Sequence, residues 1–216
     1  MIDHYYSIAI PSEGEYKEKG SKFLAYLYPF DHESELEFHI NALKSLHPKA
    51  RHYCFAYKIG VQSEIYRIND DGEPSGTAGK PIMGQLNSHN LTNILCIVIR
   101  YFGGTKLGVP GLIKAYKDAT SDAIEKAAVV EKFIVEEFLF KVDFEYHGII
   151  MNELKHLDIE VIEQSFSNKA NLKVKIRKSQ SEQKIKQLKA TLLGWDIDEI
   201  KDETKIDFLE IERAYV

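Results

Sequence analysis

The hydrophobic period changes several times along this chain, and each change marks an element. Residues 4–10 and 21–30 are aromatic and β-branched with partial alternation, which predicts two strands. Leu36, Ile40, Leu43 and Leu46 then recur at helical spacing, with Asp31 placed as an N-cap and Pro48 closing the helix. Residues 53–59 and 64–68 predict a hairpin around Gly60. A turn-rich stretch follows, with a short helix near 81–88. Residues 92–102 are the most apolar run and predict a central strand covered on both faces. A helix over 111–129 presents Leu112, Ala115, Tyr116, Ala119, Ala123 and Ala127, a face of small residues suited to close packing on a sheet.

Near residue 135 the pattern restarts: strand 135–145, helix 147–157, strand 159–166, strand 170–178, helix 181–193, and a last strand within 205–213. This β-α-β-β-α-β order is that of a ferredoxin-like sandwich. Ser181 is placed as the N-cap of the last helix and Gly194 as its C-terminal stop. The boundary falls at 132–136, giving an N-terminal domain over 1–134 and a C-terminal one over 135–216. No Gly/Ser linker separates them, which predicts rigid docking.

Composition narrows the class without naming a chemistry. The 216 residues are 44% hydrophobic and 28% charged, enough for one large domain or two small ones. A net charge of −5 supplies no global field to recruit nucleic acid, so that case rests on local patches. Cys54 and Cys96 both sit in apolar runs, as reduced thiols do in a cytosol. The N-terminus lacks the pattern of a signal peptide, and no apolar run reaches the ~20 residues that span a bilayer. The expectation is a soluble cytoplasmic protein with no membrane association.

Candidate chemistry concentrates in two loops. In the first, residues 69–81, Asp70, Asp71 and Glu73 place three carboxylates within four residues, beside Ser75, Thr77 and Lys80. Such a cluster fits a hard cation such as Mg²⁺ or a general base; it equally fits Asx-turns with a solvated Glu73. The second loop runs Arg100-Tyr101-Phe102-Gly103-Gly104-Thr105-Lys106-Leu107-Gly108-Val109-Pro110-Gly111 from a buried strand into a helix. Glycines that admit backbone N–H groups, a helix N-terminus and Lys106 together resemble an anion cradle, although the glycines also serve plain turn geometry. It is neither a P-loop nor GxGxxG. Arg51 and His52 precede the strand before the first loop, and His52 fits either a proton shuttle or a structural hydrogen bond. No zinc motif or nucleophile motif is present, so no catalytic residue and no cofactor is assigned.

A third feature is basic. Lys173, Lys175 and Arg177 alternate with Leu172, Val174 and Ile176, which predicts one buried face and one cationic stripe. That stripe suits phosphate contact; lysines guarding a solvated edge strand explain it as well. Its outward positions lack the aromatics that stack bases, so no sequence-specific reading of RNA or DNA is expected.

Three long segments carry a family resemblance. They are Ala50–Tyr57 (ARHYCFAY), Asp70–Pro81 (DDGEPSGTAGKP), and Arg100–Gly108 (RYFGGTKLG) continuing to Gly111–Tyr116 (GLIKAY). In this order and spacing they resemble the YigZ/IMPACT family, over the whole chain. The resemblance implies an α+β protein: an N-terminal sandwich like the second domain of ribosomal protein S-five, then a ferredoxin-like sandwich like domain five of elongation factor G. It implies a link to translation, since eukaryotic relatives regulate initiation by binding an activator of the kinase that senses uncharged tRNA. That role also uses an RWD domain, for which this chain has no room. Pro110 stands where family members often carry glycine, which removes one backbone N–H from the cradle.

The resulting expectation is a non-catalytic, translation-linked regulatory protein. Its partner would be RNA, the ribosome or a translation-associated protein. Arg51, Lys80, Arg100, Gly103, Gly104, Thr105 and Lys106 would contact phosphates, and Lys173, Lys175 and Arg177 would add a second surface. The alternative is a small-molecule enzyme or phosphometabolite-binding protein, in which Asp70, Asp71 and Glu73 face the Gly103–Lys106 loop across a cleft.

Overall fold

A computed structural model describes residues 3–61 and 64–214. The fold is α+β, and the chain divides into two compact units, Ile2–Lys132 and Phe133–Val216. Among the described residues no helix is long and apolar enough to cross a membrane.

The first unit is built on a five-stranded antiparallel sheet. Its strands are β1 (His4–Ile8), β2 (Ser12–Glu18), β3 (Ser21–Pro29), β4 (His52–Ile59), β5 (Ile65–Asn69) and β6 (Ile94–Tyr101), of which β2-β3-β6-β4-β5 form the sheet in that order. β1 pairs instead with β7 (Val129–Phe133). One face of the sheet packs on α1 (Leu36–Leu46) through Phe30, Leu36, Ile40, Leu43, Leu95, Ile97 and Ile99. The other face packs on α2 (Gly79–Ser88) and α3 (Gly108–Glu125). Burial on both faces explains the unbroken apolar run of β6, because every position there points into a core.

β2 is an element the hydrophobic pattern misses. Its buried positions are Ser12 and Gly14, which offer no apolar signal, and Tyr16 on the same face is the one large side chain that packs on the core. Polar bonds fix it to α3 instead: Ser12 Oγ donates to the Ala123 carbonyl at 2.8 Å, and the Glu15 amide donates to Asp122 Oδ2 at 2.7 Å. A Cβ on Gly14 would lie 2.3 Å from the Ala123 nitrogen, so strand and helix touch backbone to backbone. The small-residue face of α3, with Ala115, Ala119 and Ala123 all fully buried, is what permits this approach.

Two expected caps are not formed. Asp31 does not cap α1, because a 3₁₀ turn over Glu33–Glu35 intervenes; Asp31 Oδ1 instead accepts from Asn93 Nδ2 at 2.7 Å. Ser181 likewise follows a 3₁₀ turn, Lys178–Gln180, and is already helical; its hydroxyl donates to Glu136 Oε2 or to the Lys178 carbonyl. In both cases the 3₁₀ turn supplies the helix start that a side chain would otherwise make.

The second unit runs β8 (Val135–Val142), α4 (His147–His156), β9 (Glu160–Phe166), β10 (Ala170–Arg177), α5 (Ser181–Leu193) and β11 (Leu209–Ala214). The sheet order is β11-β8-β10-β9, antiparallel throughout. Phe138, Phe140, Val142, Leu172, Val174 and Ile176 point inward under Ile150, Leu154 and Leu188. Gly194 ends α5 at φ 68°, a left-handed conformation that favours glycine.

Gly14→Ala is expected to lower stability by about 1–3 kcal/mol, since the new methyl meets helix backbone that cannot rotate away. Urea denaturation followed by circular dichroism tests this; an unchanged midpoint would show that β2 does not seat on α3 as described.

Candidate functional site

Residues 70–79 form a loop organised around one carboxylate. Asp70 Oδ2 accepts the Gly76 amide at 2.8 Å, and Oδ1 accepts the amides of Ala78 and Gly79 at 3.0 and 2.9 Å. The Ala78 and Gly79 amides stand at the start of α2 and the Gly76 amide in the loop before it, so Asp70 closes the loop and satisfies donors of the helix N-terminus together. Burial alone would raise the Asp70 carboxyl pKa; the three backbone N–H bonds and nearby Lys80 outweigh it and hold it below its usual 3.8. Asp71 sits at φ 38° and accepts the Tyr53 amide at 2.6 Å. His52 Nδ1 lies 2.8 Å from the Asp71 carbonyl, which gives it a structural partner. Thr77 is buried and donates to the Pro74 carbonyl at 2.7 Å. Ser75 and Lys80 are exposed.

Glu73 turns the other way, inward. Its Oε1 accepts from Arg100 Nη1 at 2.6 Å and from the Tyr116 hydroxyl at 2.8 Å. The two charged side chains are 3% and 7% exposed, so this is a buried ion pair. The guanidinium lies 5.5 Å from the ring centroids of both Phe23 and Phe102. Arg100 Nε is buried and has no hydrogen-bond partner. Cys54 Sγ donates to the Tyr116 hydroxyl at 3.3 Å or to the Asp70 carbonyl at 3.0 Å. Burial pushes the Cys54 thiol and the Tyr116 phenol far above their usual values, so both stay protonated.

The three carboxylates therefore diverge. Asp70 and Asp71 are used by backbone amides and Glu73 by Arg100, and among the described residues no group of three His, Cys, Asp or Glu is placed to hold a metal ion. The expected face of Asp70, Asp71 and Glu73 across from the glycine loop is corrected to Glu73 alone.

The second loop meets Glu73 at a cleft of about 390 Å³. Glu73, Arg100 and Lys106 line it as charged groups; Pro74, Phe102, Leu107, Val109 and Leu112 give it apolar walls. α3 begins at Gly108, three residues earlier than the spacing predicts, so Pro110 falls in the first turn, where a missing N–H costs no helical bond. The α3 N-terminus has no side-chain cap and no acid in its first turn. The glycines ahead of it have separate duties. Gly103 donates its amide to Ser21 Oγ at 3.1 Å, and a Cβ there would lie 1.9 Å from the Gly20 carbonyl carbon. Gly104 has φ 88° and open space around it. Thr105 and Lys106 are exposed. Arg51 and Lys80 are exposed too and do not line the cleft.

Tyr116 was legible only as a packing residue of α3. Its one distinguishing signal is a hydroxyl within a stripe of alanines, which has to find a buried partner.

Comparison with known proteins places the chain. Residues 19–124 match the model of the Impact N-terminal domain. IMPACT family member YvyE of Bacillus subtilis is 37% identical over 155 residues, 72% of this chain and 71% of that protein. The chain belongs to the IMPACT family. An IMPACT family member of Haemophilus influenzae is 32% identical over 158 residues, 71% of this chain and 76% of that one. YigZ of Escherichia coli, another IMPACT family member, is 34% identical over 133 residues, 61% and 64% of the respective chains. A crystal structure of a hypothetical protein superposes with a TM-score of 0.67 at 26% identity, covering 94% of this chain and 100% of that one. All residues of the cleft fall inside the stretch matched to the IMPACT N-terminal domain.

The basic strand is corrected in two respects. β10 lies between β8 and β9 and is not an edge. Its cations are also not an open stripe: Lys173 and Lys175 both reach Glu137 on β8, at 2.7 and 3.5 Å. Arg177 stands over the Phe133 ring, 3.5 Å from its centroid. The acid came from a different strand, so no local reading of residues 169–189 reveals it.

Two outcomes are expected. Arg100→Met strands Glu73 in the core and lowers stability by about 3–5 kcal/mol, whereas Arg100→Met with Glu73→Gln loses less than the single change. Additive losses in denaturant titrations would mean the pair is not coupled. Asp70→Asn is expected to cost about 2 kcal/mol at pH 7. Because the folded Asp70 pKa is depressed, the part of that difference that comes from the carboxylate's charge is present above pH 3.8 and is lost as pH falls through the lower folded value. Melting temperatures of both proteins between pH 2.5 and 7 check this.

Proposed function

We propose that this IMPACT family member is a non-catalytic, translation-linked regulatory protein that holds a phosphate-bearing partner, RNA or the ribosome, at the cleft of Arg100 and Lys106. The link to translation is what the family resemblance implies. One observation supports the anion: an uncapped helix N-terminus opens into a cleft that Lys106 and Arg100 also line. Lys173 and Lys175 add less to this reading than their number in sequence promises, since Glu137 offsets them. The enzyme alternative keeps the cleft but loses its metal arm, because Asp70 and Asp71 are engaged by backbone amides.

Filter binding against structured RNA and against ribosomes tests the reading. Retention at low salt that weakens as salt rises, and weakens several-fold in Lys106→Ala, is the expected result. No retention at low salt, or retention indifferent to Lys106→Ala, removes it.

A further inference from the structure

The chemistry of the cleft narrows the anion further. Its charged groups are Arg100 and Lys106 against Glu73, an excess of one positive charge, supplemented by the α3 N-terminus. That suits a single phosphate group. A backbone running through in both directions needs a row of cations, and the nearby Arg51 and Lys80 lie outside the lining. Donors from the Lys106 ammonium and the free first-turn amides of Gly108 and Val109 come from different elements. They match the several oxygens of a phosphomonoester better than the two of a carboxylate.

The remaining wall is apolar and accessible. Phe102 is 57% exposed and Val109 52%, an unusual placement for both at the mouth of a charged cleft. The Arg100 guanidinium packs near Phe102 and steadies the ring without covering it. An exposed aromatic beside a phosphate-sized charge site is the arrangement that stacks a base. The cleft volume of about 390 Å³ is within the range that holds small ligands.

We infer that this cleft is a terminal-nucleotide site, taking one phosphomonoester at Lys106 and the α3 N-terminus with the attached base against Phe102. The inference rests on the anion reading of the same cleft. The same chemistry is offered by a free nucleoside monophosphate and by the 5′-phosphorylated end of an RNA.

Amide chemical shifts and calorimetry on the full chain test it, with AMP, adenosine and inorganic phosphate as one arm. Short RNAs of one sequence bearing 5′-phosphate or 5′-hydroxyl form the other arm. AMP is expected to shift the amides of Gly108, Val109, Gly111 and Leu112, and to bind at least about tenfold more tightly than adenosine or phosphate alone. Lys106→Ala weakens AMP and phosphate together. Phe102→Ala, an exposed change, weakens AMP by about 5- to 100-fold and leaves phosphate unchanged. A preference for 5′-phosphorylated RNA without AMP binding assigns the site to the RNA end; AMP binding without that preference assigns it to the free nucleotide. Equal affinity for AMP and phosphate, or neither AMP binding nor dependence on the 5′-phosphate, overturns the inference. RNA that binds without a 5′ preference and without shifting the α3 amides overturns it while leaving the broader RNA reading intact. AMP binding with no RNA or ribosome retention does the reverse.

Discussion

Arg100 cannot lie buried without a counter-charge, and the arrangement around the cleft follows from supplying it. Glu73 is the counter-charge, and it belongs to a loop with no regular structure of its own. Seating Glu73 fixes one part of that loop, and Asp70, engaged by the Gly76 amide and by two amides at the start of α2, fixes the rest. Tyr116 ties the same carboxylate to α3. One buried ion pair thus connects a central strand, a turn-rich loop and the helix whose N-terminus opens the cleft. Such a pair adds little net stability compared with an apolar core, and its value here is in position.

Much of the fold was legible because burial leaves a periodic trace. The double-sided burial of β6 and the alternation of Leu172, Val174 and Ile176 needed no further information. Elements held by polar bonds left no such trace. β2 buries Ser12 and Gly14 and is secured by hydrogen bonds to α3, so its period is invisible. Helix starts at Leu36 and Ser181 follow 3₁₀ turns, which bypass the side-chain caps that Asp31 and Ser181 would otherwise be.

The site was legible in location and not in its internal assignments. Three carboxylates close in sequence are directed to three different tasks, because loop geometry sends adjacent side chains apart. Conversely, charges far apart in sequence are brought together: Glu137 meets Lys173 and Lys175 only once β8 and β10 pair, and a cationic stripe becomes a mixed surface. Local charge counts therefore misjudge the field of a sheet, whose neighbours come from elsewhere in the chain.

The contact of Gly103 with Gly20 has a consequence for how this sequence is free to drift. The turn between β2 and β3 presses its backbone directly against the loop that carries Lys106, with no side chain between them to act as a cushion. An inserted or deleted residue in that turn would displace the backbone of that loop at Gly103 directly. Its length is therefore under a constraint that its charges, Lys19 among them, do not share.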